Sequence, residues 1–176
     1  MNFKNIPTGL NVPKNIYVII EIPALSKPVK YEIDYNTGIT YVDRFIPSTL
    51  FYPCNYGYIN NTLSLDNDPL DSLVLTPYPI QTQSVILCRP VGILNMEDES
   101  GHDSKIISVP HEKISKKYKS IKDIHDFPKT LLQQIKFFFE NYKKLEKNKW
   151  VKVIKWEGVN AAKKEILESI KRAKKK

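Results

Sequence analysis

Long apolar runs, export signals, paired cysteines and glycine-rich loops are all missing from this 176-residue chain. The longest strongly apolar run near the start, residues 16–20, falls well short of the roughly 20 residues a membrane helix needs, and no basic-then-apolar leader precedes it. The chain therefore reads as soluble and cytoplasmic, with no membrane partner. Cys54 and Cys88 have no Cys-x-x-Cys spacing, so buried free thiols are expected rather than a disulfide or a zinc site. The six glycines fit neither Gly-x-x-x-x-Gly-Lys nor Gly-x-Gly-x-x-Gly, which excludes a backbone cradle for phosphate. Any phosphate must meet side chains and metal ions. His102, His111 and His125 share no metal-ligand spacing. Arginine is scarce, three of 27 basic residues, so lysine is the ordinary surface cation and Arg44, Arg89 and Arg172 stand apart from it. Arg89, at a strand end, reads as structural.

What is present is a divided charge. The formal net charge is +8, yet residues 143–176 carry 13 basic and 4 acidic side chains, so the basic excess is entirely C-terminal. Between Asp66 and Asp103 seven carboxylates face the single Arg89. Such a stretch repels bare phosphate and attracts divalent cations. With 41% hydrophobic residues the chain can bury one sizeable core, and a single domain over residues 1–176 is expected.

Short strands are expected over residues 16–21, 29–34, 39–44, 84–89 and 105–109, each bounded by Pro, Gly, Asn or Ser, a spacing that favours a compact β-barrel. In the second of these Val29, Tyr31 and Ile33 alternate with Lys30, Glu32 and Asp34, which places the three charges on one face. Asn36-Thr37-Gly38 supplies a hairpin turn, bringing Arg44 near Lys30 and Glu32. Helical periodicity comes late. A helix is expected from a cap at Asp126, with Pro128 in its first turn and Leu131, Ile135, Phe138 and Tyr142 on its inner face. A strand over 149–154 and a last helix from about Ala161 follow, the latter facing inward with Ala162, Ile166, Ile170 and Ala173.

The chemistry concentrates in Asp66-Asn67-Asp68-Pro69-Leu70-Asp71. Three carboxylates within six residues, stiffened by Pro69, are costly to hold together without a cation or proton between them. Hard oxygen donors point to magnesium or manganese. A calcium loop of the helix-loop-helix kind is excluded, because its sixth and twelfth positions fall on Asp71 and Pro77 instead of Gly and Glu. A second acidic set, Asp98-Glu99-Ser100-Gly101-His102-Asp103, contains a glycine that permits a sharp turn and returns Asp103 toward Asp98. Lys30, Arg44 and the Tyr142-Lys143 pair are the candidate donors to phosphate.

These residues resemble the soluble bacterial-type, family I inorganic pyrophosphatases over nearly the whole chain. The shared pieces are Glu21-Ile22-Pro23, Lys30-Tyr31-Glu32-Ile33-Asp34, Val42-Asp43-Arg44-Phe45, Tyr52-Pro53-Cys54-Asn55-Tyr56-Gly57-Tyr58, the acidic hexapeptide at 66–71, and Asp98, Asp103, Lys105 and Tyr142-Lys143. The resemblance implies an α+β fold: a small five-stranded closed β-barrel, OB-like, with two helices from the C-terminal half packed outside. It implies hydrolysis of pyrophosphate to two phosphates with several Mg2+ ions, Mn2+ or other divalent ions being possible substitutes, and a homohexamer. By the same resemblance Asp66, Asp71 and Asp103 hold the principal metals, Asp98 and Glu32 serve ions arriving with substrate, and Glu21 supports that network. Asp68 is the general base. Lys30, Arg44, Tyr56, Tyr142 and Lys143 contact phosphate oxygens, and Tyr52 and Lys105 border the site. The chain departs from the family pattern at Ser72, where a small aliphatic residue is usual, and at Phe137 and Asn141, where many members carry histidines in a contact between trimers.

Two other classes compete. A nucleic-acid-binding barrel would stack bases on the aromatic strands at 31–45 and track phosphates with the basic tail, and the acidic stretch argues against it. A phosphatase with an aspartyl nucleophile would attack phosphorus with Asp66.

Overall fold

The computed structural model describes residues 3–35 and 37–175. Among the described residues there are eight strands: β1 Ile16–Ile22, β2 Val29–Ile33, β3 Thr40–Phe45, β4 Asn55–Ile59, β5 Leu70–Val74, β6 Val85–Asp98, β7 Gly101–Pro110 and β8 Val151–Gly158. The same residues form two helices, α1 Lys129–Asn141 and α2 Val159–Lys175, and three short 3-10 turns. The strand order β1-β4-β5-β7-β6-β8, together with a β1–β6 pairing, closes five strands into a ring and leaves β8 outside it on β6. β2 and β3 form a separate two-stranded sheet. The α+β barrel expected from the sequence is therefore present, but two of its staves, β4 and β5, lie outside the segments that alternation marks.

The ring closes because its strands are apolar on the face they share. Ile16, Val18 and Ile20 of β1 join Ile59, Leu70, Val74, Ile86, Cys88, Ile93 and Ile106 in one buried cluster that also takes Ala162 and Ile166 of α2. Each such side chain contributes about 1.5–3 kcal/mol by leaving water. Within this fully buried face, Ser72 and Ser108 place their hydroxyl oxygens 2.9 Å apart and satisfy one another. The uncommon serine after Asp71 is thus accommodated by a partner. A second cluster joins the other side of β5, β6 and β7 to Ile135, Phe138 and Phe139 of α1. Cys54 and Cys88 are free and buried in separate clusters.

Helix starts differ from the sequence reading. α1 begins at Lys129, with Pro128 in the capping position and no side-chain cap. Asp126 is spent on the preceding turn, where its Oδ2 accepts from the amides of Lys122 at 2.7 Å and Asp123 at 2.9 Å. α2 begins at Val159, whose amide donates to Asp123 Oδ2 at 2.8 Å, a cap supplied from 36 residues away. Its inward face is Ala162, Ile166 and Ser169, with Ile170 packed beside them and Ala173 half-buried. The Asn36 part of the Asn36-Thr37-Gly38 turn lies outside the described residues, whereas Gly38 takes φ +72° and its amide donates to Asp34 O at 2.7 Å.

Arg89 is structural as expected, although it lies within β6 and not at a strand end. Its two terminal nitrogens donate to Ile121 O at 3.1 Å and Tyr118 O at 2.8 Å, pinning the 118–121 segment to β6.

Candidate active site

The cleft lies where β2, β3, the 62–69 loop, the β6–β7 turn and the end of α1 meet. It has two adjoining lobes, of about 310 and about 230 Å3, which share Lys30, Tyr56, Asp68 and Asp71. The first also presents Glu21 and Glu32, and the second Arg44, Asp66, Asp98, Asp103, Lys105, Tyr142 and Lys143. All the residues expected at the site except Tyr52 therefore line it. Tyr52 sits behind the wall, its ring 5.7 Å from Tyr56, 4.7 Å from Phe138 and 6.5 Å from Tyr142, so it fixes two tyrosines that do face the cleft.

Local structure explains each placement. In the acidic loop Asn67 takes φ +73°, a left-handed conformation asparagine tolerates, and Asp68 N donates to Asp66 Oδ1 at 3.1 Å. This tight turn sends both carboxylates into the same lobe. Thr62 closes the base of the loop: its hydroxyl donates to Ile59 O at 2.5 Å and accepts from Leu70 N at 2.9 Å. Pairing of β5 with β7 sets Asp71 directly opposite Lys105. On β7 the period of two then places Asp103 on the same side as Lys105. Gly101, at φ +115°, turns the β6–β7 hairpin and returns Asp103 to the lobe that Asp98 lines, as the glycine in the sequence predicts. In the hairpin β2–β3, Lys30 pairs with Arg44, and an irregularity after Lys30 makes room for Asp43.

Each cation meets carboxylates. Lys105 is buried and lies between Asp71 and Asp103, 2.5 Å from Asp103 Oδ1. Burial works against its charge, but Asp103 and Asp71 outweigh that and hold its pKa well above the ordinary lysine value. Lys143 Nζ contacts Asp98 at 2.8 Å and Glu99 at 2.9 Å. Burial alone would raise both of these carboxyls, yet the Lys143 ammonium brings them below their usual range. Arg44 pairs with Asp43 and, at 2.9 Å, with Glu146, and Lys30 pairs with Glu32. Tyr56, half-buried in the cleft wall, donates its hydroxyl to Asp71 Oδ2 at 2.6 Å.

Other carboxylates shift the opposite way, and burial raises even Asp71 despite Lys105. Burial, then neighbouring charge, raises Asp66 and Asp68 above the usual aspartate value, Asp71 and Glu32 acting on Asp68 and Asp103 on Asp66. Glu21, packed against β2 and accepting from Ile33 N at 2.9 Å, is pushed by burial up to about 8. A set of hard oxygen donors in this state attracts divalent cations of the magnesium kind. Among the described residues, however, no three carboxylate, His or Cys side chains are gathered closely enough to hold an ion, and Asp71 and Asp103 are both engaged by Lys105. The donor chemistry fits magnesium.

Sequence reasoning missed several members. Asp34, Tyr35 and Tyr41 line the first lobe and Glu99, Ser100 and Lys149 the second. Asp34 and Glu99 belong to acidic runs already singled out: Asp34 stands two residues from Glu32, on the same strand face, and Glu99 directly follows Asp98. Lys149 and Glu146 are hidden in a lysine-rich run where nothing local distinguishes them.

Comparison with known proteins places the whole chain. A family described as inorganic pyrophosphatase matches residues 18–174. The inorganic pyrophosphatase of Escherichia coli K12 is 59% identical over 176 residues, covering all of both chains. A solved inorganic pyrophosphatase from Thermus thermophilus superposes with a TM-score of 0.93 at 43% identity, over 99% of each chain. One from Coxiella burnetii gives 0.92 at 48% identity, over 95% of this chain and 99% of that one.

Proposed function

The chain belongs to the inorganic pyrophosphatase family and hydrolyses pyrophosphate to phosphate, and on that premise we propose that a water activated beside Asp68 attacks one phosphorus in line with the bridging oxygen. The observation that carries this reading is the convergence, in one lobe, of Lys30, Arg44 and Lys143 with Asp66, Asp68, Asp71, Asp98 and Asp103. Cations alone would bind phosphate and carboxylates alone would bind metal; both together suit a metal-bound polyphosphate.

Asp66, Asp71 and Asp103 would hold the principal Mg2+ ions, with Asp98 and Glu32 serving ions that enter with substrate. When bound, Mg2+ supplies an acidified water and offsets negative charge on the phosphates. Asp68 accepts the proton of the attacking water, a role helped by burial and by Asp71, which raise its pKa above the usual aspartate value. The water oxygen bonds to phosphorus as the bridging P–O bond breaks, and the electron pair of that bond leaves on the second phosphate. Arg44, as a planar fork, and Lys30 and Lys143, as point charges, bind the peripheral oxygens where charge accumulates. Tyr56 and Tyr142 orient the phosphates with their hydroxyls, Glu21 supports Glu32 through β2, and Lys105 neutralises Asp71 and Asp103 whenever these do not face a metal.

Phosphate release from pyrophosphate, measured with Mg2+ and with chelator, tests this for the parent and Asp68→Asn. Turnover should need Mg2+ and fall in the variant by about 10²–10⁴-fold with metal affinity retained. Magnesium-independent turnover, or trapping of a phosphorylated Asp66, would overturn the direct-water mechanism.

The acidic cleft also argues for a protein that binds no nucleic acid. Assembly into a homohexamer and a cytoplasmic setting are part of the same proposal; exposed Leu25, Phe45, Phe51, Tyr78 and Phe137 are apolar surface such an assembly would cover. Among the described residues no helix is long and apolar enough to cross a membrane.

A further inference from the structure

Of the three arginines, one faces the cleft and one pins a loop, which leaves Arg172, the single arginine in the lysine-rich C-terminal stretch. It lies on α2, an element the hydrolytic chemistry does not touch. Its Nε donates to Leu63 O at 2.7 Å, across 109 residues of sequence, while its Nη2 pairs with Glu165, about two turns earlier on the same face of the helix. Leu63 N donates to Ser169 O of the same helix at 3.0 Å, so both backbone polar groups of Leu63 are taken up by α2. The next residue, Ser64, donates its amide to Asp68 O at 2.7 Å and accepts from Asn67 N at 3.4 Å. A continuous hydrogen-bonded strut thus runs from the guanidinium through Leu63 and Ser64 to the backbone of Asp68.

We infer that Arg172 is a positioning residue for hydrolysis: by clamping Leu63 to α2 it sets the attitude of the loop that presents Asp66 and Asp68 to the cleft. The inference rests on the roles proposed above for those two aspartates. Arginine suits the task because its rigid fork binds a carbonyl and a carboxylate at once, which the single ammonium of a lysine does less well. Thr62 holds the base of the loop to β4 and β5, so the clamp acts on the part beyond it, where the aspartates lie.

The test uses the full chain with Arg172→Gln, Arg172→Lys, Asp68→Asn and Lys171→Gln, the last removing an ammonium that pairs with Glu168 on the same helix. Arg172→Gln should lower kcat about tenfold, the loss expected when a charge-assisted hydrogen bond that fixes a reacting group is removed. KM for pyrophosphate should move less than about twofold, because Lys30, Arg44 and Lys143 sit on other elements. In chelator, amides at 64–68 should exchange hydrogen about tenfold faster while those of β1 and β6 keep their parent rates. Arg172→Lys should recover part of both effects, and Lys171→Gln should alter neither. Unchanged kcat and unchanged exchange in Arg172→Gln would overturn the inference, as would faster exchange spread equally through β1 and β6. If Asp68→Asn abolishes turnover while Arg172→Gln is silent, only the positioning role fails; if Asp68→Asn retains turnover, the reading of the loop fails and the inference falls with it.

Discussion

Glu21 offers the sharpest quantitative test of the site's electrostatics. Its carboxyl is buried beside β2, and burial raises its pKa from 4.5 to about 8, with Asp71 and Glu32 adding to the rise and the Ile33 hydrogen bond and Lys30 opposing it. An acid whose folded pKa lies above its unfolded value favours the folded state while protonated. Its contribution is therefore intact below about pH 4.5 and is lost progressively up to about pH 8. At about 1.36 kcal/mol per pH unit, the whole interval costs about 5 kcal/mol, of which about 4 kcal/mol falls between pH 5 and pH 9. Glu21→Gln keeps the oxygen that accepts from Ile33 and cannot ionise. In chelator, urea unfolding should show the variant gaining about 4 kcal/mol on the parent between those two pH values, or roughly 2 M in midpoint. A gap that widens by less than about 1 kcal/mol would refute the claim that this buried carboxyl ionises at a cost to folding.

Removing the ammonium that joins Asp71 to Asp103 strands two shielded carboxylates. Lys105→Met should therefore destabilise the metal-free protein by about 3–5 kcal/mol, with added Mg2+ raising the Tm of the variant more than that of the parent; calorimetry with chelator and with Mg2+ measures both. Gly57 allows β4 to approach β1, since a Cβ there would stand 2.0 Å from Ile19 O. Gly57→Ala should cost about 3 kcal/mol and lower Tm by about 6 °C or more, read by thermal unfolding.

How much of this could be read from the chain depends on whether the signal is local. Lys30, Glu32, Asp66, Asp68, Asp71, Asp98 and Asp103 are close neighbours in short acidic or alternating runs, and their grouping was legible. β4 and β5 were not, because Tyr56, Gly57 and Asp71 interrupt the apolar alternation that marks a strand, and each does so for the site or for a close crossing. The start of α1 was misjudged because Asp126 has the right composition for a cap and is engaged by the turn before it. Glu146 and Arg172 were invisible as site residues, since their partners Arg44 and Leu63 lie about a hundred residues away and only folding brings them close.

The hydroxyl pair at Ser72 and Ser108 has a consequence for how this chain can change over time. Each serine is tolerated in a dry, fully enclosed place because the other is there. Exchange of either one for an aliphatic residue strands the remaining hydroxyl, whereas exchange of both removes the polar pair altogether. The two positions, 36 residues apart and on parallel strands, are therefore bound to a common history. A lineage that places an aliphatic residue beside Asp71 must pass through a less stable intermediate unless both replacements arrive together.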